Sequence, residues 1–387
     1  MEIADVKTIK SLQIGVGWLP EEKGNGLDRV FYALTRNLPD AGVDVRGLVI
    51  GSSNVAEDSR QTVQSFAAKD ESLRRRIGSL RSTLREELDG NEFDLVASHF
   101  ALFTYPILKY IRDYPLVMHF HGPWSAESHA EGEGRLAVKA KWALERTVYK
   151  TAERFVVLSD AFRNLLIEHY KIDESRIRKV QGGVQADRFD TGCSMEEARK
   201  RLGWPTDRPI VFVVRRLARR MGLENLIAAM VQVRQKHPDV LLHIAGSGPI
   251  RSELEDRIGA ADLNDHAKLL GFVPDADLPL AYRAANFSIV PTVSLEGFGL
   301  ITVESMAAGT PVLVTNVGGL PETVKDLSED LIMPDSEVKT LATYVQDALS
   351  GALALPSSEA CQAYVRERFD WPVIARQIRD VYAEVIS

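Results

Sequence analysis

The feature that most restricts the fold of this chain is the alternation of short apolar runs, rich in Val and Ile, with longer segments of helical period. Runs without polar alternation predict strands that helices cover on both faces, and hence parallel sheets. The runs lie at residues 12–16, 43–50, 95–98, 116–118 and 155–158, and again at 210–214, 241–245, 268–270, 288–290 and 311–314. Because the series restarts near residue 208, the sequence predicts two parallel α/β units.

Helical segments separate the predicted strands and indicate where the chain divides. They are predicted at residues 27–38, 105–111, 161–170, 223–235, 250–258, 278–285, 301–308, 338–350 and 371–386. Residues 182–209 are rich in Gly and Pro, which is typical of a boundary. We expect an N-terminal domain over residues 1–185, rejoined by a terminal helix at 371–387, and a C-terminal domain over 190–370. Since parallel sheets bind ligands beyond the carboxyl ends of their strands, we expect the two domains to face each other across a cleft.

Charge and composition exclude several classes of function. The 387 residues contain 47 Lys and Arg against 54 Asp and Glu, a net charge of −7, so nucleic acid is not an expected partner. No apolar run reaches the roughly 18 residues that span a bilayer, and the N-terminus does not resemble a signal peptide, so we expect a cytoplasmic protein. The basic residues from Arg74 to Arg85 leave peripheral contact with the inner face of a membrane open. The neighbouring Glu86, Glu87 and Asp89 favour a solvated helix instead.

The most informative string is EGFGLITVE at residues 296–304, directly after a predicted strand. Gly297 and Gly299 permit a tight turn into a helix, and the N-terminus of a helix attracts phosphate. Glu296 and Glu304 flank this turn, and carboxylates accept hydrogen bonds from sugar hydroxyls. The string therefore predicts a site for a diphosphate that lies between two hydroxyl-bearing groups.

This string, followed by MAAGTPV at residues 306–312, resembles the E-x7-E signature of the family 4 glycosyltransferases. Three further motifs resemble those of the family in the same order. They are IAGSGP at 244–249, LGFVP at 270–274 and GGLPE at 318–322. The resemblance implies a retaining enzyme that uses a nucleotide sugar and has the GT-B fold, in which two Rossmann-like domains face a cleft. It also implies that the C-terminal domain binds the donor and the N-terminal domain the acceptor.

The resemblance gives individual residues a role. Glu304 would bind the ribose hydroxyls, Glu296 would fix the hydroxyls of the donor sugar as a catalytic residue, and Val273 would hold the base through its main chain. Backbone groups of Phe298, Gly299 and Leu300 would contact the sugar and the phosphates. Gly248 is the remaining donor-binding residue of this half.

A cluster of arginines follows the first strand of the C-terminal domain. Residues 213–222, VVRRLARRMG, resemble the family's G-R-L-x3-K-G phosphate clamp, which places the family arginine at Arg216. The family lysine falls on Met221, which carries no charge. Because a diphosphate leaving group requires positive charge, we expect Arg220, or else Arg219, to supply it.

The N-terminal half carries weaker versions of these patterns. The loop containing Asn25 and Gly26 resembles the family's G-G-x-E loop on the donor, although an ordinary loop before a helix is the alternative. The resemblance implies that His121 contacts the donor sugar as a catalytic residue. His99 follows a predicted strand and is a candidate on the acceptor side, or a structural histidine. His119 and His121 also form a His-x-His pair that hints at zinc, but no further ligands occur at the usual spacing.

Taken with the resemblance, the sequence predicts a hexosyltransferase that needs neither a metal nor another cofactor. UDP-glucose is the preferred donor, followed by UDP-galactose, UDP-N-acetylglucosamine and GDP-mannose. The expected acceptor is a saccharide or a lipid-linked saccharide in polysaccharide or glycoconjugate biosynthesis. The alternatives are a nucleotide-sugar epimerase of the same fold, a phosphorylase, for which no convincing pyridoxal lysine is found, and a sugar-binding protein without activity.

Overall fold

The computed structural model describes residues 8–19, 21 and 26–386. The chain divides into two units, one formed by Met1–Gly183 with Trp371–Ser387 and the other by Val184–Asp370. Each unit contains one parallel sheet flanked by helices, as the apolar runs predict. None of the helices in the described residues is both long enough and apolar enough to span a membrane. The predicted loop residue Asn25 lies outside the described residues.

The first unit is built on a seven-stranded sheet in the order β3-β2-β1-β4-β5-β6-β7. Its strands are β1 Ile9–Ile14, β2 Val43–Ile50, β3 Val63–Ala67, β4 Leu95–Ser98, β5 Leu116–Phe120, β6 Arg154–Val157 and β7 Ile177–Lys179. Its helices are α1 Gly26–Asn37, α2 Asn54–Asp58, α3 Leu73–Gly90, α4 Ala101–Thr104, α5 Trp124–Ala130, α6 Arg135–Thr151, α7 Asp160–Tyr170 and the terminal helix α17 Trp371–Ile386.

The second unit is built on a six-stranded sheet in the order β10-β9-β8-β11-β12-β13. Its strands are β8 Ile210–Val214, β9 Leu241–Ala245, β10 Ala267–Gly271, β11 Phe287–Val290, β12 Val312–Thr315 and β13 Ile332–Met333. Its helices are α8 Ala186–Phe189, α9 Met195–Leu202, α10 Leu223–Lys236, α11 Arg251–Ala260, α12 Leu278–Arg283, α13 Leu300–Ala307, α14 Leu320–Val324, α15 Val338–Ser350 and α16 Ser358–Arg368.

Each sheet has a point at which the order of its strands reverses. In the first unit this point lies between β1 and β4, and in the second between β8 and β11. The connections on either side leave in opposite directions there, which opens a crevice beyond the carboxyl ends of the strands. The residues that follow β4, β8 and β11 are therefore the first to examine for a binding site.

The terminal helix α17 belongs to the first unit because its apolar face packs there. Ile374, Ile378 and Tyr382, spaced by one helical turn, are buried, as are Trp371 and Val381. Full burial of a large apolar side chain is worth about 1.5–3 kcal/mol, so this face alone accounts for the position of the helix. Tyr382 also brings a hydroxyl group into the core.

The structure corrects one predicted helix. Residues 105–111 do not form an α-helix: α4 is followed by a single 3₁₀ turn at Tyr105–Ile107 and then by irregular turns. Pro106 has no backbone N–H to continue the hydrogen-bond ladder of α4, so the chain changes to the tighter turn. Ile107 and Ile111 are nevertheless buried and Leu108 is half-buried, which explains why the segment resembled a helix face.

Gly222, in the segment between β8 and α10, packs closely against the residue that follows β11, and this contact provides a test of the fold. Its φ is +73°, and an added Cβ would overlap the carbonyl oxygen of Pro291. We expect Gly222→Ala to destabilise the second unit by about 2 kcal/mol or more, measured as a lower unfolding temperature. The matched control is Gly259→Ala in α11, where the Cβ would meet nothing within 4 Å. That variant should be neutral or slightly stabilising. If both variants lowered the unfolding temperature equally, the close contact of Gly222 with Pro291 would be contradicted.

Candidate active site

A buried ion pair lies at the point of strand reversal in the second unit. Arg215 follows β8 and donates from Nη2 to Oε2 of Glu296, which lies in the loop after β11, at 2.6 Å. The same nitrogen donates to Oγ1 of Thr292 at 2.6 Å. The side chains of Arg215 and Glu296 are only 8% and 14% exposed. Within the described part of the chain, Oε1 of Glu296 and Nε of Arg215 have no hydrogen-bond partner, so both groups retain capacity for a polar ligand.

The backbone of Glu296 is fixed from two sides. Arg220 donates from Nη1 to the carbonyl oxygen of Leu295 at 2.7 Å, and Leu295 has a φ of +55°. The backbone N–H of Gly319 donates to the carbonyl oxygen of Glu296 at 3.0 Å. At Gly318, whose φ is +58°, an added Cβ would overlap that same oxygen. The GGLPE motif therefore packs against the loop that carries Glu296.

The structure separates the two arginines that could replace the missing lysine. Arg219 is 68% exposed at its side chain and pairs with Glu253 at 2.7 Å and with Glu224 at 3.5 Å. Arg220 is partly buried and bonded to the loop that carries Glu296, as described above. Arg216 lies exposed between them and the strand. This geometry favours Arg220 over Arg219, and its binding to phosphate stays a prediction.

Helix α13 begins where the glycine-rich turn ends. Gly299 is its N-cap with a φ of +82°, and a Cβ there would lie 2.5 Å from the side chain of Leu320. Gly299 has no side chain to cap the helix, so its N-terminal partial charge is not offset by a cap. Phe298 is buried with its ring centroid 5.8 Å from that of Phe369. Phe298 therefore anchors the turn, while Leu300 begins the helix.

Glu304 lies one turn inside α13 and is 7% exposed. Its Oε2 accepts a hydrogen bond from the hydroxyl of Tyr282 in α12 at 3.1 Å. Glu304 and Glu296 thus have different partners, and the predicted ribose contact of Glu304 stays a prediction. Gly248 packs so closely on the carbonyl oxygen of Leu217 that a Cβ would overlap it.

Val273 and Gly26, two further predicted residues, lie at the surface of their units or close to it. Val273 is half-buried beside Phe272, whose ring is 54% exposed. Gly26 is the first residue of α1 and is exposed, and within the described residues a Cβ there would meet nothing within 4 Å. Behind it, the carboxylate of Asp28 accepts a hydrogen bond from the backbone N–H of Gly17 at 2.9 Å.

A histidine cluster lies at the strand reversal of the first unit. His99 follows β4, His119 lies in β5, and His121 follows β5. Nδ1 of His99 lies 2.9 Å from Nε2 of His121, and Nε2 of His99 lies 3.2 Å from Oε1 of Gln13. Nε2 of His119 lies 2.7 Å from the hydroxyl of Tyr382. The sequence prediction for His99 and His121 thus falls on two residues in direct contact.

Burial keeps these three rings neutral. It lowers the pKa of His121 to about 4 and that of His119 to about 3, and His121 lowers the latter further. Burial, followed by the neighbouring His119 and His121, also holds the pKa of His99 well below its ordinary value. Across the described residues, no group of three His, Cys, Asp or Glu side chains is arranged to hold a metal ion. The His-x-His pair instead contacts His99 and Tyr382.

Three residues of these clusters are not predicted from the sequence. The family pattern falls on Arg216 and not on Arg215, although Arg215 is the first polar residue after β8. Gln13 is a polar residue inside a buried apolar strand, and this is a signal that the sequence does contain. Tyr382 carries no local signal, since it lies 369 residues from Gln13.

Comparison with known proteins agrees with this architecture. Residues 24–188 match the model of the family described as Glycosyltransferase Family 4, and residues 194–368 match that of Glycosyl transferases group 1. The first match lies mostly in the first unit, and the second lies within the second unit. The chain belongs to the group 1, family 4 glycosyltransferases, and it has the GT-B fold of this family.

Similar proteins include D-inositol 3-phosphate glycosyltransferases. The protein from Corynebacterium kroppenstedtii is 30% identical over 62% of this chain and 55% of its own length, and that from Corynebacterium jeikeium is 28% identical over 80% and 76%. The alignment thus spans little more than half of the first relative. Among solved structures, sucrose-phosphate synthase from Thermosynechococcus elongatus has a TM-score of 0.80 and 23% identity over 97% and 98% of the two chains. HepE from Anabaena, in complex with UDP and glucose, has a TM-score of 0.78 and 20% identity over 97% and 100%.

The ion pair between Arg215 and Glu296 can be tested by a double-mutant cycle. Arg215→Met should destabilise the second unit by about 3 kcal/mol, because it leaves a buried carboxylate without its partner. Adding Glu296→Gln should recover part of this loss. The unfolding temperature of each variant gives the measurement. Arg219→Met, which breaks an exposed pair, is the control and should cost no more than about 1 kcal/mol. Equal losses in Arg215→Met and in the double variant would contradict the pairing.

The histidine cluster predicts a specific dependence of stability on pH. An unfolded histidine takes up a proton near pH 6.5, whereas His121 and His119 in the folded chain resist protonation until about pH 4 and about pH 3. Between these values the unfolded chain binds more protons, so the unfolding temperature should fall as the pH is lowered from 7 to 4.

His119→Gln should reduce this slope, because it removes one of the buried rings. His129→Gln, which changes an exposed histidine of α5, is the matched control and should leave the slope as in the wild type. A slope that His119→Gln does not change would show that the cluster is not its source.

Proposed function

We propose that this protein is a retaining hexosyltransferase that moves a hexosyl unit from a nucleoside diphosphate sugar to a hydroxyl group of a saccharide or a lipid-linked saccharide. UDP-glucose is the proposed donor, and synthesis of a polysaccharide or glycoconjugate is the proposed setting. The second unit binds the donor, and the first unit binds the acceptor and supplies His121.

The observation that carries this proposal is the buried pair of Arg215 and Glu296 at the strand reversal, next to the start of α13. A carboxylate held there by an arginine has one oxygen left to accept sugar hydroxyls. The adjacent helix N-terminus and the arginines after β8 offer positive charge to a diphosphate. Of the solved structures similar in fold, HepE from Anabaena is described in complex with UDP-glucose, which supports this choice of donor.

The proposed reaction follows from these groups. The oxygen of the acceptor hydroxyl bonds to the anomeric carbon on the face from which the diphosphate departs. The bond between that carbon and the phosphate oxygen breaks, and the acceptor proton passes to the departing phosphate oxygen. Arg216, Arg220 and the start of α13 stabilise the negative charge that develops on the diphosphate. Glu296 and His121 hold the sugar hydroxyls. Because the new bond forms on the face that the diphosphate leaves, the configuration at the anomeric carbon is retained.

A panel of nucleotide sugars tests the donor. UDP-glucose should raise the unfolding temperature more than UDP-galactose, UDP-N-acetylglucosamine or GDP-mannose at equal concentration, because the ligand that binds more tightly stabilises the folded chain more. Turnover of the best donor should give a product of retained anomeric configuration, measured by NMR, at a rate that EDTA does not lower. An inverted product would overturn the mechanism, and an epimer formed without acceptor would identify an epimerase. Binding without turnover would indicate a sugar-binding protein.

Two variants locate the donor within the second unit. Glu304→Ala should weaken UDP binding about tenfold or more through loss of the ribose contact, while Glu296→Gln should lower kcat with little effect on UDP binding. Tyr282→Phe, which removes the hydrogen bond that Tyr282 donates to Glu304, is the control for a packing defect. If Glu304→Ala bound UDP like the wild type, the proposed ribose site would be wrong.

A further inference from the structure

A chain of hydrogen bonds leads to His121, and the direction of each bond can be assigned. The hydroxyl of Ser11 donates to the carbonyl oxygen of Asp44 at 3.2 Å, an atom that can only accept. Ser11 Oγ in turn accepts a proton of the Gln13 amide at 3.0 Å. These two bonds fix the orientation of the amide, so Oε1 of Gln13 faces Nε2 of His99 at 3.2 Å.

The assignment continues through the two imidazoles. Because Oε1 of Gln13 can only accept, the proton of neutral His99 lies on Nε2, and its Nδ1 is an acceptor. The proton between the rings therefore belongs to Nε2 of His121, 2.9 Å away. A neutral His121 then has a lone pair on Nδ1, an atom for which the described residues provide no hydrogen-bond partner.

The surroundings of these residues preserve this arrangement of donors and acceptors. Ser11 and Gln13 are 0% exposed and His99 is 2% exposed, so water does not compete for these bonds. The low pKa values described above keep the imidazoles neutral at pH 7. The second amide proton of Gln13 goes to the hydroxyl of Tyr382 at 3.1 Å, and this hydroxyl lies 2.7 Å from Nε2 of His119 and 3.5 Å from Oε1 of Gln13. This branch ends at His119 and does not set the protonation of His121.

We propose that Ser11, Gln13 and His99 are positioning residues that hold His121 in a single tautomer, with its Nδ1 lone pair left to accept a hydrogen bond from a sugar hydroxyl. The nature of the hydroxyl rests on the proposed function. The polarity has a consequence for specificity: an ionised phosphate oxygen has no proton to give, so His121 selects a hydroxyl and not the diphosphate.

The tautomer can be read directly by long-range ¹H–¹⁵N NMR of the full chain labelled at histidine nitrogen, with His121 assigned through His121→Gln. At pH 7 we expect one pyridine-type nitrogen at Nδ1 of His121 and one N–H at Nε2. The opposite tautomer, or a doubly protonated ring, would overturn the proposal. Because this measurement uses the wild-type protein, it does not depend on whether a variant folds.

Two substitutions around the same amide separate positioning from packing. Gln13→Met removes the acceptor of His99, so both tautomers of His121 should become populated and kcat with UDP-glucose should fall about tenfold. Tyr382→Phe removes the other partner of the amide and should change the tautomer of His119 but not that of His121. A His121 signal unchanged in Gln13→Met would overturn the proposal even if activity fell.

The contact between Nδ1 of His121 and a sugar hydroxyl can be measured separately. UDP-glucose should shift the Nδ1 resonance of His121, because its hydroxyl donates there, and UDP alone should not. If UDP-glucose raises the unfolding temperature but leaves this resonance unchanged, the hydroxyl contact is wrong while the proposed function stands. If no nucleotide sugar of the panel raises the unfolding temperature, the proposed function itself fails, and the proposed contact of His121 with a sugar hydroxyl fails with it.

Discussion

The constraint on which the site depends is the burial of parallel strands on both faces. Strands such as β4 and β8 are almost wholly apolar and buried, so the first position at which a polar side chain can function is the residue after the strand ends. Because all strands of a sheet run in one direction, these positions collect at one edge. His99 after β4 and Arg215 after β8 are each the first residue after a strand that borders the point of strand reversal. Rigid strands behind them also limit the movement of these side chains, which is what a binding site requires.

The carboxyl-end edges of the two sheets offset the free-energy cost of burying polar groups in different ways. In the second unit, Arg215 and Glu296 are both charged, and each offsets the desolvation of the other. In the first unit, burial lowers the pKa of both His99 and His121, and the neighbouring imidazoles lower that of His99 further, so the rings stay neutral. One edge therefore presents charge and the other presents hydrogen-bond polarity without charge. A diphosphate needs the first kind of environment and a hexose the second.

The sequence predicted those parts of the structure that depend on local pattern. The bounds of β2, β4, β8, β9, α15 and α17 agree with the apolar runs and periods, because each of these elements buries a continuous face. Strands β3, β7 and β13 were not predicted. The last two have three and two residues, and β3 includes two half-buried polar residues, so none of them shows a clear apolar run. The helix expected at 105–111 was wrong because apolar periodicity there outweighed the effect of Pro106.

The sequence motifs predict which loops form the site, but not which residues of those loops contact each other. The glycines at 299 and 318 adopt positive φ angles that only a few residues tolerate, so their motifs are visible in the sequence. The choice of Arg215 over Arg216 as the partner of Glu296 depends on which side of the chain faces the loop after β11, and two adjacent arginines look alike in the sequence. Contacts such as that between Gln13 and Tyr382 join opposite ends of the chain and have no local signal at all.

This last contact gives α17 a role that its apolar face does not explain. Ile374 and Ile378 would hold the helix on the first unit without any polar group, yet Tyr382 places a fully buried hydroxyl between Gln13 and His119. A buried donor or acceptor left without a partner costs about 1–3 kcal/mol, so Gln13 and His119 both depend on the helix being in place. The return of the chain to its first unit thus completes the polar network behind the histidine cluster. The end of the chain is in this way part of the construction of the candidate site.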